Sequence, residues 1–160
     1  MNKSAVISKC GRYRYRLDRV WEETKGRVNF VMLNPSTADA TTDDPTIRRC
    51  VAFARDWGYG GIVVTNLFIY RATSPEVLKT VGGHPAADSI IKTCAEQSDL
   101  VVAAWGNHGT LYNRGERVRA FLASHGIELN HLGLTKIGQP KHPLYLPKTS
   151  QPVLWSEGVE

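Results

Sequence analysis

A chain of 160 residues, 42% of them apolar, suits one compact domain and excludes two catalytic ones. Its longest apolar runs, Ile62 to Thr65 and Leu100 to Trp105, fall well short of the ~20 residues needed to cross a bilayer, so no membrane partner is expected. The N-terminal residues lack the apolar core of a secretory signal, which points to a cytoplasmic protein. Most of the formal charge of +5 sits at the start: Lys3, Lys9, Arg12, Arg14, Arg16 and Arg19 face only Asp18, whereas the remaining fourteen basic and fourteen acidic residues balance. Such a basic arm suits a phosphate-bearing partner, because clustered cations release counterions on binding, although a solubilising surface strand accounts for it equally well. Cys10, Cys50 and Cys94 are widely spaced with no Cys-x-x-Cys pair, which supports neither a disulfide framework nor a thiolate zinc site; Cys50 and Cys94 read as core fillers.

In chain order, Arg12 to Leu17 alternates with period two, predicting an edge strand with Arg12, Arg14 and Arg16 on one face and Tyr13, Tyr15 and Leu17 on the other. Val28 to Leu33 reads as a buried strand. Asp44-Pro45 then supplies an N-cap and a first-turn proline for a helix whose inner face is Ile47, Cys50, Val51 and Ala54 and whose stop is Gly58. Gly61 to Thr65 is the next strand and ends in Asn66. A long loop leads to a helix marked by Ala87, Ile90, Ile91 and Cys94, and Leu100 to Ala104 forms the third strand. Leu111, Val118, Phe121 and Leu122 mark a further helix stopped by Gly126, before a fourth strand at Ile127 to Leu132 and a proline-rich, loop-like tail from Gly133 to Glu160. Apolar strands joined by helices predict an α/β fold: a three-layer α/β/α sandwich around a central, mainly parallel four-stranded sheet.

In open parallel sheets ligands bind beyond the carboxyl ends of the strands. Those ends carry Asn34-Pro35-Ser36-Thr37, Asn66-Leu67-Phe68, Trp105-Gly106-Asn107-His108 and His131, followed by Lys141-His142-Pro143. An Asn amide donates and accepts in one plane, matching the edge of a nucleobase, and a His can stabilise an oxygen that gains charge. Any one such Asn more often satisfies loop backbone; four polar strand ends together point to a planar heterocyclic ligand. No G-x-G-x-x-G, P-loop lysine or G-x-S-x-G elbow is present, and the histidines show no metal-ligand spacing. Asp39, Asp43 and Asp44 are candidates to bind a cation or activate water, with an Asx-turn as the structural alternative for Asp39 and an N-cap for Asp44.

The strings Val31 to Asp39, Asp44 to Arg49, Asn66-Leu67-Phe68, Trp105-Gly106 and His142-Pro143-Leu144 resemble the uncharacterised DUF1643 family over nearly the whole chain. More distantly, their order is similar to that of the uracil-DNA glycosylase superfamily. That resemblance implies a single glycosylase-like domain over residues 1–160. It also implies a DNA-repair hydrolase that recognises a nucleobase in DNA, single- or double-stranded, and cleaves its N-glycosidic bond without metal or organic cofactor. Asn34 would position the attacking water and His142 would stabilise the leaving base. Asn66, with Phe68, Pro35 and Ser36, would hold the base. Arg12, Arg14, Arg16, Lys141, Leu144 and Lys148 would meet DNA, the Leu144 loop standing where a wedge enters the duplex. Two alternatives stay open: a non-catalytic nucleic-acid or nucleotide-binding module, and a hydrolase of a free modified nucleoside or nucleotide.

Overall fold

The computed structural model describes residues 1–156. Four strands pair in parallel at its centre: β3 (Arg27–Met32), β4 (Gly61–Asn66), β5 (Leu100–Ala103) and β6 (Asn130–His131), the last only two residues of the strand expected at Ile127 to Leu132. The sheet does not stop there. A hairpin of β1 (Asn2–Ile7) and β2 (Arg14–Val20) adds antiparallel to β4, and β7 (Val153–Leu154) adds antiparallel to β6. Among the described residues this makes a seven-stranded mixed sheet in the order β1-β2-β4-β3-β5-β6-β7, in place of the four-stranded, mainly parallel sheet expected. The hairpin's first strand escaped the sequence reading because it is the outermost strand and its exposed face carries no apolar alternation. It also moves β2 from the expected edge into the sheet.

Local signals account for the helices. In α1 (Pro45–Asp56) the Asp44 Oδ1 accepts from the Ile47 N–H at 2.9 Å and Pro45 occupies the first turn, where a missing N–H costs nothing. Ile47, Cys50, Phe53 and Ala54 form its buried stripe; Val51, expected in that stripe, is half-buried. Gly58 leaves the helix at φ +88°, a left-handed conformation that favours glycine. The expected helix after Pro85 is α3 (Ala86–Glu96), preceded by a single helical turn, α2 (Leu78–Val81), inside what reads as loop. Arg114–Ser124 is α4, and the 3-10 segment Asn107–Asn113 takes the place of its expected first turn.

The pleat divides the core in two. Leu17, Val28, Phe30, Ile62 and Val64 pack under α1, whereas Val31, Leu33, Val101 and Ala103 pack under α3 and α4. Helices therefore cover both faces. The chain leaves β3 through α1 toward β4 and leaves β5 through α4 toward β6, in the opposite direction along the sheet. A crevice opens where adjacent strands part in this way, outside the carboxyl ends of β3 and β5. No helix of the described residues is long and apolar enough to cross a membrane.

Candidate functional site

Parallel register brings the strand ends level: Met32 pairs with Asn66 and Val31 with Ala103. Beyond them lies a cleft of about 440 Å³, walled by Asn34, Ser36, Asn66, Trp105-Gly106-Asn107-His108, His142 and Leu144, with Arg14, Asp44 and Thr46 reaching it from the α1 side. Residues as far apart as Arg14 and Leu144 thus meet at the place the strand-end rule indicates.

Asn66 is 1% exposed, and neither its Oδ1 nor its Nδ2 has a hydrogen-bond partner. Buried amides are almost always satisfied, and leaving a polar group unpaired costs about 1–3 kcal/mol, so this side chain is held in the cleft wall at the expense of stability. Asn34 is anchored differently. Its Nδ2 donates to Ala72 O at 2.8 Å and to Pro35 O at 3.2 Å, which fixes the amide plane and leaves Oδ1 as an acceptor. The loop carrying it is clamped by Arg71, which donates to Ser36 O, Thr37 O and Gly11 O.

Trp105 is nearly fully buried, and its Nε1 donates to Gln139 Oε1 at 2.9 Å. Gly109 and Gly115 make room for the indole: a Cβ at Gly109 would stand 2.0 Å from Trp105 Cδ1. The Gly106 N–H, donating to Pro140 O at 2.8 Å, and the Asn107 Oδ1, accepting from Thr135 Oγ1 at 2.6 Å, tie this segment to the loop that delivers His142. The far side of that loop is held by α1, with Arg49 donating to Leu146 O and Trp57 Nε1 to Ser150 O at 3.0 Å. His142 Nδ1 accepts from the Leu144 N–H at 3.2 Å, so the ring proton of the neutral imidazole sits on Nε2. The residue as a whole is exposed. Partial desolvation pushes its pKa below the usual histidine value, partly opposed by Asp44, a shift that favours the neutral ring at pH 7.

The basic stretch is not one surface. The β1–β2 pairing slips between Val6 and Ile7, which face Arg16 and Arg14, leaving Tyr15 as a bulge residue that breaks the period-two alternation. Arg14 lies 2% exposed in the cleft lining, donating through Nη1 to Ala38 O at 3.2 Å, while Arg16 grips Asp18 with two hydrogen bonds and only Arg12 is exposed. Burial pushes the Arg14 guanidinium down to about 10, with Asp44 opposing and Arg71 and Arg19 reinforcing the shift; it remains charged at neutral pH.

Several other expected site residues fall elsewhere. Phe68 and Pro35 are buried outside the cleft lining, Phe68 in the core under α3 and α4, because the chain has turned off β4 by that point. His131 is buried against Trp155 and accepts from the Gly133 N–H. Asp39 closes an Asx-turn, its carboxylate lowered by the Thr41 and Thr42 N–H groups, and Asp44 caps α1. Lys141 and Lys148 are exposed on the His142 loop, and Leu144 lines the cleft. Thr46 lies within the string Asp44 to Arg49, which carries no role for it, and no local motif marks Arg71. Among the described residues, no group of three or more His, Cys, Asp or Glu stands close enough to hold a metal ion. Burial raises the Cys50 and Cys94 thiols, as suits core fillers.

No curated protein and no solved structure matches this chain. A family model described as "Protein of unknown function (DUF1643)" matches residues 14–144, spanning the sheet from β2 to β6, the helices and the His142 loop, and the chain belongs to that family.

Proposed function

We propose that the cleft recognises a nucleobase in DNA and hydrolyses its N-glycosidic bond. The observation that carries this reading is Asn66: a fully buried amide, both polar atoms unpaired, in the wall of a cleft. A ligand presenting an adjacent N–H donor and C=O acceptor, the lactam edge of uracil or hypoxanthine, satisfies both atoms with two in-plane hydrogen bonds. Binding then recovers what the unpaired amide costs the free protein.

The remaining residues supply the chemistry. Hydrolysis breaks the C1′–N bond, whose electron pair leaves with the base, while a water oxygen bonds to C1′ and its proton is taken up by the base. Asn34, with Nδ2 tied back to the loop, offers Oδ1 to orient that water. His142, neutral with its proton on Nε2, donates to the base oxygen as negative charge develops there, the kind of fixed donor that lowers such a barrier. The exposed Lys141 and Lys148 and the 92% exposed Tyr145 lie on the same loop as His142, where phosphates and bases of a strand would pass. The order of the sequence motifs, which distantly resembles that of glycosylases, agrees with the same reading.

The test is release of base from single- and double-stranded oligonucleotides carrying uracil, hypoxanthine, oxidised or alkylated bases, detected as alkali-labile abasic sites. Asn66→Ala is expected to weaken binding, whereas Asn34→Ala is expected to spare binding and abolish turnover. Binding without release from any oligonucleotide would leave a recognition module in place of an enzyme.

A further inference from the structure

Three arginines are buried among the described residues, and two of them are paired with a carboxylate. Arg19 donates to Asp43 Oδ1 at 2.7 Å and to the carbonyls of Asp18, Asp39, Thr42 and Ser4. Arg114 donates through Nε and Nη2 to Leu67 O and pairs with Asp88 at 2.7 Å. Arg14 is as deeply buried, yet among the described residues its one side-chain hydrogen bond is Nη1 to Ala38 O; Nε is buried without an acceptor, and no carboxylate forms an ion pair with it. It lines the cleft that Asn66 lines. The Asp44 carboxylate in the same cleft favours its charge but makes no ion pair or hydrogen bond with it, and a buried cation so loosely compensated is expensive unless something of opposite charge joins it.

A second feature points the same way. The N-terminus of α1, twelve residues long, opens on this cleft through Asp44, Thr46 and Ile47. Its dipole places partial positive charge there, and the first-turn N–H of Thr46 has no intrahelical acceptor. Asp44 is the single carboxylate among the lining residues, and its Oδ1 is engaged by the Ile47 N–H. We propose that Arg14 and the first turn of α1 form an anion subsite inside the cleft, taking a phosphate of the nucleotide whose base Asn66 reads; the nucleotide part of this inference rests on the function proposed above. The guanidinium fork matches phosphate oxygens, and a cleft of about 440 Å³ is in the range that holds a whole small ligand rather than a base alone. The phosphate comes either from a free mononucleotide or from the phosphodiester beside an extruded base in a strand.

The experiment compares deoxyuridine and deoxyinosine with their 5′-monophosphates and with trinucleotides containing them, on wild type and Arg14→Met. A charge-assisted contact is expected to make a phosphate-bearing ligand bind about ten- to a hundredfold tighter than its nucleoside, and Arg14→Met is expected to erase that ratio while sparing nucleoside affinity. An advantage shown by the monophosphate identifies a free nucleotide; one confined to the trinucleotide identifies a strand. In parallel, inorganic phosphate titrated into the wild-type protein is expected to shift the Arg14 Nε–H resonance saturably, a readout that stands even where Arg14→Met fails to fold. Nucleoside binding without a phosphate advantage, an advantage that survives in Arg14→Met, or an Arg14 resonance indifferent to phosphate overturns the subsite. A resonance that responds to phosphate while no nucleoside-bearing ligand binds keeps the anion subsite and removes the nucleobase reading.

Discussion

Replacing Asn66 by Leu is expected to make the protein more stable and unable to bind. The two side chains share the same heavy-atom branching, and the larger methyl groups of Leu can spread into the cleft, so the change removes polarity without opening a cavity. Both amide atoms of Asn66 are buried and unpaired, each such group costing about 1–3 kcal/mol; allowing for imperfect packing of the new methyl groups, the net gain is about 2 kcal/mol. For a chain of 160 residues this corresponds to a rise in Tm of about 4–8 °C. Urea and thermal melts measure the gain, and titration with deoxyuridine and deoxyinosine measures the loss of binding. Asn29 is the control. It is equally buried and its Oδ1 is also unpaired, but its Nδ2 donates to Val63 O at 3.0 Å and Thr65 Oγ1 at 3.2 Å, so Asn29→Leu removes one unpaired atom while stranding those acceptors and is expected to leave stability within about 1 kcal/mol of wild type. If Asn66→Leu is less stable than wild type, the amide is satisfied within the fold and the argument for a ligand at Asn66 collapses.

Removing the leaving-group donor by His142→Ala is expected to slow single-turnover base release roughly 10²–10³-fold with Kd changed less than about tenfold; cleavage at the wild-type rate would transfer the role to His108, which also lines the cleft. The His142 ring, followed by NMR, is expected to titrate below 6.5, so the folded state binds fewer protons than the unfolded chain just under that pH and stability declines on acidification through that window; a midpoint at or above 6.5 contradicts the desolvated placement. Gly109→Ala drives a methyl into the Trp105 ring, 2.0 Å from Cδ1, and is expected to cost about 3 kcal/mol and shift the indole emission; a neutral effect in urea melts would mean the indole is not held as described.

Much of the architecture is written in local patterns. Asp44-Pro45 and Gly58 bound α1 because a cap and a left-handed stop act on neighbouring residues only. The runs that became β3, β4 and β5 are legible because strands covered on both faces need near-continuous apolar residues. Once a parallel sheet is inferred, its chemistry-bearing end follows, and Asn34, Asn66, Trp105 to His108 and His142 do meet there. What distinguishes Asn66 from Asn34 was not legible: both are Asn after a strand, and only the fold gives Asn34 the carbonyls of Ala72 and Pro35 while leaving Asn66 with none.

The hairpin and the arginines belong wholly to tertiary structure. Asn2 to Ile7 carries no pattern of its own and becomes a strand because β2 offers it a free edge. Period-two alternation assigns Arg12, Arg14 and Arg16 to one face, and the alternation holds only while strand pairing is regular. The bulge at Tyr15 arises from the register with a partner strand, so no reading of residues 12 to 17 alone could reveal it; it sends Arg14 under the loop before α1 and into the cleft. The sequence by itself determined which segments form the central strands and helices and where their polar ends gather, because periodicity and capping are local. Pairing register and burial decided which of those polar groups would be left without a partner, because both depend on residues far away along the chain.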